Sequence, residues 1–527
     1  MSKHLFFLVG LGCSASLCFG QSNGLFETNA EGKIYFQRNQ VDFPIGQNSN
    51  SFSPNELVLD WSGSDFNISE NPTVDSWDVR LSVGQDNTPY VVYNDNHSSG
   101  LQKIMFRKKL SEEEWAEPIF VDTGGEIGAR NNHFPAISTS PNGDLHVVYN
   151  VWAFENVRNF IGYSYYNAEM DEWSDGVKIS DLNGTVSHFT SRHDIYSTED
   201  NLPVVIWGYD FRENQINEEI YMTYFDGENW SSDIAVSDVT DGADAGYPYI
   251  KSIGDGKAMI LYSENTSGGT TELKYRIYNE STHELSSPSV IVSENIGNSN
   301  YVLVSSGTGG VMVATIYKKT GPDRDAINVY VYDNSSDSFS LSDNSFEVAA
   351  NAGSLLKRIA MDCNSLGECA IIYTDFLAQT NSYLEYYPET GFGDPLVINQ
   401  ENPGFDAPSA GFSPDGNLHV VWSDYRFDNG EGFDEREVFY EMGRNELMGT
   451  GELHFTDISI YPNPSKGVFI IQTKESFKVE IFNMAGKLMD RRTILGTTEI
   501  QKSLAAGVYL IRFTNEKGIF NKKLLVQ

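Results

Sequence analysis

The feature that most constrains this chain is an internal repeat with a period in the mid-fifties. A short β-rich run that follows a turn recurs seven times, and the runs end at residues 93, 149, 207, 262, 316, 373 and 422. The successive spacings are 56, 58, 55, 54, 57 and 49 residues. A fixed period of this size indicates one supersecondary unit that packs against its own copies, so the repeat decides the fold.

A second series of large apolar residues runs in step with the first. Each member follows a polar turn, and the members are Trp115, Trp173, Trp230, Leu285, Phe339 and Phe392. Each unit is predicted to hold four short strands separated by Gly, Asn or Asp turns, because helical periodicity is almost absent. Four strands per unit of this length is typical of a propeller blade, so we predict an all-β chain whose residues 71–445 form a seven-bladed β-propeller.

The seventh copy lacks the segment that would form its outermost strand. It runs only to Met442 and contains no member of the second series. A ring is stable only when its first and last blades are joined, and residues 56–61 (Glu-Leu-Val-Leu-Asp-Trp) form a β-prone segment ahead of the first copy. We therefore expect the N-terminal segment, residues 21–70, to supply a strand that closes blade 7. The alternative is an open solenoid with capping units.

The N-terminus has the pattern of a secretory signal peptide. Lys3 precedes the apolar run Leu5–Leu11, and small residues flank Phe19. We predict that residues 1–20 are removed by cleavage after Gly20. A transmembrane anchor is disfavoured because the apolar run is too short to cross a bilayer. A lipoprotein signal is disfavoured because neither early cysteine follows an aliphatic residue at the required spacing.

Removal of this segment leaves Cys363 and Cys369 as the only cysteines. They flank a turn-like stretch between two apolar runs, so we predict a disulfide across a hairpin in an oxidising compartment. Two unpaired, half-buried thiols are the alternative. A zinc site is disfavoured because no His and no further Cys lies nearby.

The composition of the chain changes after residues 449–451 (Gly-Thr-Gly). Residues 453–527 hold eleven Lys or Arg and six Asp or Glu, a net charge of +5, which leaves −42 for the remainder of the chain. Alternating apolar strands between Gly turns indicate a small antiparallel, immunoglobulin-like sandwich, preceded by a linker at residues 446–452.

This C-terminal module contains four motifs in a fixed order. They are residues 461–467 (Tyr-Pro-Asn-Pro-Ser-Lys-Gly), 482–487 (Phe-Asn-Met-Ala-Gly-Lys), 506–509 (Ala-Gly-Val-Tyr) and 522–527 (Lys-Lys-Leu-Leu-Val-Gln). In sequence and spacing the module closely resembles the type IX secretion sorting domain of Bacteroidota. The resemblance implies export through the periplasm and outer membrane, the type IX machinery as a partner, and a location at the cell surface or outside the cell. An accessory sugar-binding sandwich is the alternative.

The charge and the motifs exclude several classes of function. A formal net charge of −37 argues against nucleic acid and anionic lipid as partners. The sequence contains no phosphate loop, no dinucleotide fingerprint and no Gly-x-Ser-x-Gly elbow. We predict no cofactor, although a structural calcium ion is compatible with so acidic a chain, and we expect a monomer without a membrane span.

Ligands of propellers usually bind where the loops before the first strands and after the second strands meet over the central channel. Four of the eight histidines outside the signal peptide fall on such loops of the first three copies, namely His97, His133, His188 and His193. We predict catalytic roles for His133, His193, Tyr209 and Arg212, and substrate-binding roles for Arg130, Arg192, His97, Trp152 and Tyr247.

β-Elimination from a uronic-acid sugar requires a His or Tyr that removes a proton and an Arg that neutralises a carboxylate, and this set supplies both. The alternative is that these side chains only satisfy backbone groups of turns or are solvated. His146 and His419 differ, because each lies within a second strand in the same register. We predict that these two histidines are packing residues of the repeat.

The blade pattern resembles that of the sialidase-like propellers, many of which act on carbohydrate. Their Asp-box would fall at the second series, where residues 226–230 (Asp-Gly-Glu-Asn-Trp) are a shortened form. Residues 80–82 (Arg-Leu-Ser) depart from the Arg-Ile-Pro segment of sialidases. Residues 133–137 (His-Phe-Pro-Ala-Ile) resemble the second-blade opening of ulvan-type polysaccharide lyases, although the further His expected near Trp152 is absent.

The sequence therefore favours a secreted propeller that acts on extracellular polysaccharide, with elimination at a uronic acid ahead of glycoside hydrolysis. Two alternatives remain open. One is a non-catalytic module that binds glycans or proteins through aromatic loop residues, and the other is a sialidase-like glycoside hydrolase.

Overall fold

The computed structural model describes two N-terminal strands, most of residues 59–445 and most of residues 459–526. The described ranges are 24–28, 34–38, 59–61, 64–70, 74–96, 100–112, 114–152, 159–180, 185–186, 193–210, 218–237, 244–265, 270–293, 296–305, 310–317, 326–342, 345–347, 356–364, 367–375, 379–387, 391–399, 408–426, 436–445, 459–461, 465–466, 468–473, 476–483, 487–502, 504–505, 507–515 and 518–526. The predicted signal peptide and the predicted linker lie outside these ranges.

The chain divides into two compact units, residues 1–445 and residues 446–527. Among the described residues of the first unit, one helical turn, Gly125–Gly128, accompanies a large set of β-strands. In none of the described ranges is a helix long and apolar enough to cross a membrane. The prediction of an all-β chain is therefore confirmed.

Six antiparallel sheets of the first unit are built from consecutive strands, and we number them as blades 1 to 6. Their strands are, in blade 1, Ser76–Val83, Pro89–Asn96, Gln102–Lys108 and Ile119–Phe120; in blade 2, Asn131–Thr139, Leu145–Trp152, Phe160–Asn167, Glu172–Trp173 and Val177–Lys178; in blade 3, Thr185–Val186, Asp194–Ser197, Pro203–Asp210, Glu218–Tyr224 and Ile234–Ala235; in blade 4, Asp244–Gly254, Lys257–Asn265, Thr271–Asn279 and Ser289–Ser293; in blade 5, Ile296–Ser305, Val311–Tyr317, Ala326–Asp333, Ser338–Leu341 and Phe346–Glu347; and in blade 6, Leu356–Cys363, Cys369–Asp375, Thr380–Tyr387, Gly391–Phe392 and Leu396–Asn399.

A seventh sheet, blade 7, combines strands from both ends of the first unit. Its C-terminal part consists of Ser409–Phe412, Leu418–Asp424 and Glu437–Asn445. Two N-terminal strands, Leu59–Trp61 and Ser64–Asn67, pair antiparallel with different parts of the last of these strands. Beyond them the sheet continues outwards through Ile34–Arg38 and Gly24–Thr28. The N-terminal contribution is thus larger than the single strand expected at residues 56–61.

The first strands of the seven blades contact one another in a closed cycle. Hydrogen bonds also join neighbouring first strands to each other. The Asp194 carboxylate of blade 3 accepts the backbone N–H of Ile250 in blade 4 at 2.9 Å, and the Ser409 hydroxyl of blade 7 accepts that of Leu81 in blade 1 at 3.1 Å. A cycle of sheets that meet at their first strands is a β-propeller, as the repeat predicts.

The two series of repeat residues have fixed places in each blade. Members of the first series, such as Tyr93, Tyr149 and Trp207, are buried between neighbouring blades. Members of the second series pair with the end of a third strand, as Trp173 does with Tyr166. The other pairs of this kind are Trp115 with Lys109, Trp230 with Phe225, Leu285 with Tyr278, Phe339 with Tyr332, and Phe392 with Tyr386. The second series therefore marks the hairpin that leads to each fourth strand.

Buried charges join the two ends of the ring. The guanidinium of Arg426 donates to Asp65 at 2.8 Å and to Asp424 at 2.6 Å, and the side chains of all three residues are at most 1% exposed. The same guanidinium lies 3.7 Å from the centre of the Phe439 ring. Asp65 belongs to the N-terminal strand Ser64–Asn67, Asp424 ends the C-terminal strand Leu418–Asp424 and Arg426 follows it, so this cluster closes the ring. We call Asp65, Asp424 and Arg426 the closure cluster.

The predicted disulfide between Cys363 and Cys369 is confirmed. The two residues face each other across the hairpin of the first two strands of blade 6, with Cα atoms 4.1 Å apart. Both are buried, and Cys369 packs among the apolar residues between blades 5 and 6. The alternative of two free thiols is therefore wrong.

The second unit is a small β-structure with its own apolar core. Ser459–Tyr461, Val468–Gln472 and Thr497–Gln501 form one sheet, and Leu488–Ile494, Phe477–Asn483, Gly507–Asn515 and Gly518–Val526 form the other. Large side chains of both sheets, including Phe469, Ile481 and Phe513, are buried together. Two packed antiparallel sheets agree with the sandwich expected for the C-terminal module.

Two histidines of the repeat form identical buried bridges. His146 of blade 2 joins the Ser140 hydroxyl at 2.8 Å to the Tyr163 hydroxyl at 2.7 Å. In blade 7, His419 joins Ser413 at 3.2 Å to Tyr440 at 2.8 Å. Burial lowers the pKa of His146 to about 4 and that of His419 to about 3. Both histidines are therefore neutral packing residues in the fold, as their register predicts.

Replacement of Arg426 by Met is expected to lower the free energy of unfolding by about 3–5 kcal/mol, because Asp65 and Asp424 then stay buried without a counter-charge. The matched control is Arg444→Met, which removes a surface ion pair with Glu112 and is expected to cost less than about 1 kcal/mol. Chemical denaturation followed by tryptophan fluorescence measures both. Equal effects of the two substitutions would contradict a structural role of the closure cluster.

The histidine bridges make stability depend on pH in a defined direction. A histidine whose folded pKa lies below its unfolded value of about 6.5 stabilises the fold above pH 6.5, and this stabilisation is lost as the pH falls towards the folded pKa. For His146 the loss between pH 7.5 and 5 is expected to be about 2 kcal/mol. The melting-temperature difference between the parent and His146→Gln should therefore shrink over this interval, and a constant difference would refute the argument.

Candidate functional site

The two ends of the ring differ in the length of their connections. At one end, turns of two to five residues join first strands to second strands. At the other end, segments of four to twelve residues join second strands to third strands, and the blade-to-blade segments arrive there as well. We call this second end the upper rim. Longer connections on a rigid scaffold are where propellers place their binding residues, so the upper rim is the candidate site.

Short turns at the lower end are tied to one another between blades. The side chain of Asn201 in blade 3 accepts the backbone N–H of Asn142 in blade 2 at 2.9 Å. The same contact joins blades 1 and 7, where Asn87 accepts the N–H of Asp415 at 3.0 Å. Asn87 and Asn201 both adopt left-handed backbone angles, with φ of 67° and 63°. These contacts fix the lower turns to their neighbours.

The first strands of blades 1, 2 and 4 share a kink at the upper rim. Their hydrogen-bond register shifts next to Asp78, Phe134 and Tyr247 respectively. These three residues have left-handed φ values of 49°, 54° and 55°. Left-handed backbone outside glycine costs free energy and is often found at binding sites, where it redirects a side chain. The kinks therefore support the choice of the upper rim.

Blade 2 presents an aromatic pair at this kink. The ring of His133 lies 5.2 Å from that of Trp152, with 58° between the planes, and also contacts Phe134. His133 is buried, whereas Trp152 and Phe134 are half-buried at the end of the ring. His133 was predicted to be catalytic and Trp152 to bind substrate, and the fold brings the two together. We call them the His133–Trp152 pair.

A buried polar network supports this pair from behind. Asn132, which precedes His133, donates its side-chain amide to Asp122 at 2.6 Å. Lys103 donates to the carbonyl of Gly128 at 2.6 Å and lies 3.8 Å from the Asp122 carboxylate. Burial raises the pKa of Asp122 to about 6, while the Lys103 charge and the Asn132 amide act in the opposite direction. The network fixes the backbone on which His133 is carried.

Trp77 of blade 1 lies in the register position that His133 has in blade 2. Trp77 pairs with Asn94 and His133 pairs with Asn150, the residues that follow the repeat markers Tyr93 and Tyr149. The guanidinium of Arg436 lies 4.9 Å from the centre of the Trp77 ring. Trp77 is half-buried, so its indole also forms part of the upper rim.

Several cations near the upper rim are engaged with carboxylates. Arg436 donates to Asp75 through Nε at 2.8 Å and through its terminal nitrogen at 2.7 Å. Arg426 is held in the closure cluster. Lys103 faces Asp122, as described above. These three positive charges are therefore neutralised within the protein.

The other predicted site residues that the structure describes are buried or half-buried. Tyr209 is 1% exposed, packs between blades 2 and 3, and donates its hydroxyl to Asp233 at 2.8 Å. Tyr247 belongs to blade 4, where it packs with the apolar residues between blades 4 and 5. Arg130 is half-buried, and His193 is buried directly before a strand of blade 3. The proton-abstracting role of Tyr209 stays a prediction that its burial does not favour.

Three residues of the predicted site and one further histidine of the predicted rim loops, His188, lie outside the described residues. The three predicted site residues are His97, Arg192 and Arg212. Within the described ranges, no group of three or more His, Cys, Asp or Glu is arranged to hold a metal ion. The roles predicted for Arg192, Arg212 and His97 therefore stay predictions.

Sequence reasoning missed two residues that organise the rim. Asn94 is fully buried and its side chain bonds to the backbone on both sides of His133, while Arg436 fixes the Trp77 indole. A signal for Asn94 was present, because Asn follows the repeat Tyr in both blade 1 and blade 2. Arg436 had no comparable signal, since its contacts with Trp77 and Asp75 span more than 350 residues of sequence.

Comparison with known families matches one part of the chain. Residues 459–527 match the family described as a secretion system C-terminal sorting domain. This range lies within the second compact unit, residues 446–527, and contains the four motifs identified in the sequence. No curated protein matches the sequence of the chain.

Comparison with solved structures finds other proteins at low similarity. An α-L-arabinanase from Penicillium chrysogenum is 13% identical, with a TM-score of 0.41 over 59% of this chain and 92% of the other. An intramolecular trans-sialidase from Ruminococcus gnavus is 10% identical, with a TM-score of 0.40 over 74% and 97%. A protein of unknown function from Dyadobacter fermentans is 8% identical, with a TM-score of 0.44 over 74% and 98%. Likenesses this low carry no argument about activity.

The strand order therefore establishes the propeller, and the family match establishes the route of export. The chain is a β-propeller that carries a type IX secretion sorting domain at residues 459–527 and is exported to the cell surface or beyond it.

Proposed function

We propose that the exported propeller is a sialidase-like carbohydrate-active protein that recognises extracellular glycans at its upper rim. The observation that carries this proposal is the His133–Trp152 pair, in which the buried His133 ring at a backbone kink supports the half-buried Trp152 indole. Ligand sites combine aromatic side chains with a few oriented polar groups, and a Trp ring offers a large apolar face at small entropic cost. A sugar ring, with one apolar face and hydroxyls at its edge, suits such a surface.

The charges near the rim favour an uncharged or sparsely charged glycan. Arg426, Arg436 and Lys103 each have a carboxylate partner, so an acidic polymer would have to compete with these carboxylates. The chain outside residues 453–527 also carries a net charge of −42, which repels a polyanion. These observations support glycoside hydrolysis or binding ahead of elimination at a uronic acid.

One assay separates these chemical possibilities. The full chain is incubated with a panel of neutral, sialylated and uronate-containing polysaccharides, and the products are analysed for new reducing ends and for unsaturated sugar ends. We expect retention of a neutral or sialylated glycan, and any new reducing ends without unsaturation. Unsaturated products would instead support elimination, and failure to bind any glycan on the panel would overturn the proposal.

Replacement of Trp152 by Ala is expected to weaken glycan binding about tenfold or more, because one aromatic stacking surface is lost. Titration calorimetry with a glycan retained by the parent measures the change. The control is Trp230→Ala, which removes an equal ring at the lower, outer edge of blade 3. Equal weakening by both substitutions would show a general loss of structure and not a site.

Tyr209→Phe distinguishes packing from proton abstraction. The substitution removes the hydrogen bond to Asp233 and is expected to lower the free energy of unfolding by about 1 kcal/mol, with no loss of glycan binding or turnover. Tyr149→Phe is the matched control, since the hydroxyl of this buried residue also has one side-chain partner, Ser164 at 2.8 Å. Loss of turnover in Tyr209→Phe alone would restore Tyr209 as a catalytic candidate.

A further inference from the structure

Blades 1 and 2 carry an aromatic side chain at the same register position of the upper rim: Trp77 is half-buried, and His133 is buried beside the half-buried Trp152. Trp77 and His133 each occupy the strand position directly opposite an Asn, and a left-handed residue follows each of them. The repeat therefore places Trp77 beside the His133–Trp152 pair on adjacent blades. The first strands that carry Trp77 and His133 contact each other, and Trp152 lies on the second strand of blade 2, so the two half-buried indoles belong to different blades of one rim.

Asn94 fixes the two surfaces relative to each other. It is the cross-strand partner of Trp77 in blade 1. Its side-chain amide donates to the carbonyl of Asn132 at 2.7 Å, and its side-chain oxygen accepts the N–H of Phe134 at 2.9 Å. These two backbone groups lie on either side of His133. A single fully buried side chain therefore couples the strand of Trp77 to the kink of His133.

Arg436 fixes the Trp77 indole from the other side. Its guanidinium lies 4.9 Å from the Trp77 ring centre and 5.9 Å from that of Tyr425, and Asp75 binds it through two nitrogens. A planar cation on an aromatic face restricts the orientation of that face. Trp77 is therefore held in place before any ligand arrives, which lowers the entropic cost of binding.

We propose that Trp77 and the His133–Trp152 pair form one extended binding surface for an internal stretch of a linear polysaccharide chain. This inference rests on the proposed function, because it defines the ligand of the same rim. A short oligosaccharide occupies one aromatic surface, whereas a longer chain spans both. The second contact of a long chain is then intramolecular, so affinity rises with chain length beyond the contribution of a single surface.

The test measures affinity as a function of chain length. The full chain is titrated with gluco-, xylo- and manno-oligosaccharides from the disaccharide to the octasaccharide. For the series that binds, we expect affinity to rise about tenfold or more between the disaccharide and the hexasaccharide. In Trp77→Ala the ratio of these two affinities should fall to near one, whereas Trp77→Phe should keep most of it.

Asn94→Ala tests the coupling of the two surfaces. Asn94 is a positioning residue, so its replacement should lower the hexasaccharide-to-disaccharide ratio, a readout that a uniform loss of stability does not move. Trp230→Ala, at the lower edge of blade 3, should leave the ratio unchanged, and melting temperatures of all variants verify that they are folded.

Two failures are distinguishable. If no oligosaccharide and no polysaccharide binds the unmodified chain, the proposed function and this inference are both overturned. If glycans bind but the disaccharide binds as tightly as the hexasaccharide, or Trp77→Ala weakens both equally, only the extended surface is overturned. A terminal-sugar site at the His133–Trp152 pair would then be the correct description.

Discussion

The closure of the ring depends on a charge cluster that the fold buries almost completely. Arg426 holds Asp65 from one end of the first unit and Asp424 from the other, so strands about 360 residues apart meet in one sheet. Burying charges is costly, and the cost is recovered only when every partner is present. The cluster therefore makes closure specific: a ring that lacks the N-terminal strand leaves the buried Arg426 without Asp65. The rim exists only because the ring is closed.

A closed ring turns sequence repeats into a spatial site. Equivalent residues of neighbouring blades, such as Trp77 and His133, lie next to each other because each first strand contacts the next one. The lower turns are tied by Asn87 and Asn201, whereas the upper connections are longer. One end of the propeller is thus a rigid base, and the other end can carry binding residues without loss of the fold.

Sequence reasoning predicted what periodicity encodes. The Tyr and Trp series predicted the strands, their order and the propeller, and the register of His146 predicted its packing role, because these features repeat within about 55 residues. The same reasoning predicted that His133 and Trp152 lie at the same end of the ring. It could not rank individual rim residues. Tyr209, for example, has a side chain that is chemically able to act in catalysis, but it lies in an apolar core between blades. Contacts such as that of Arg436 depend on distant pairing that no local pattern contains.

The charges of the described residues favour aromatic over electrostatic contacts in the proposed site. The chain outside the sorting domain is strongly acidic, and Arg436 and Lys103 are paired with carboxylates of the protein itself. Arg436, whose guanidinium lies 4.9 Å from the centre of the Trp77 ring, also supports the indole. Recognition by stacking on such a surface is screened little by salt, in contrast to attraction between exposed charges. Under the proposed function, a rigid aromatic rim on an acidic body would combine solubility outside the cell with a glycan affinity that depends little on salt.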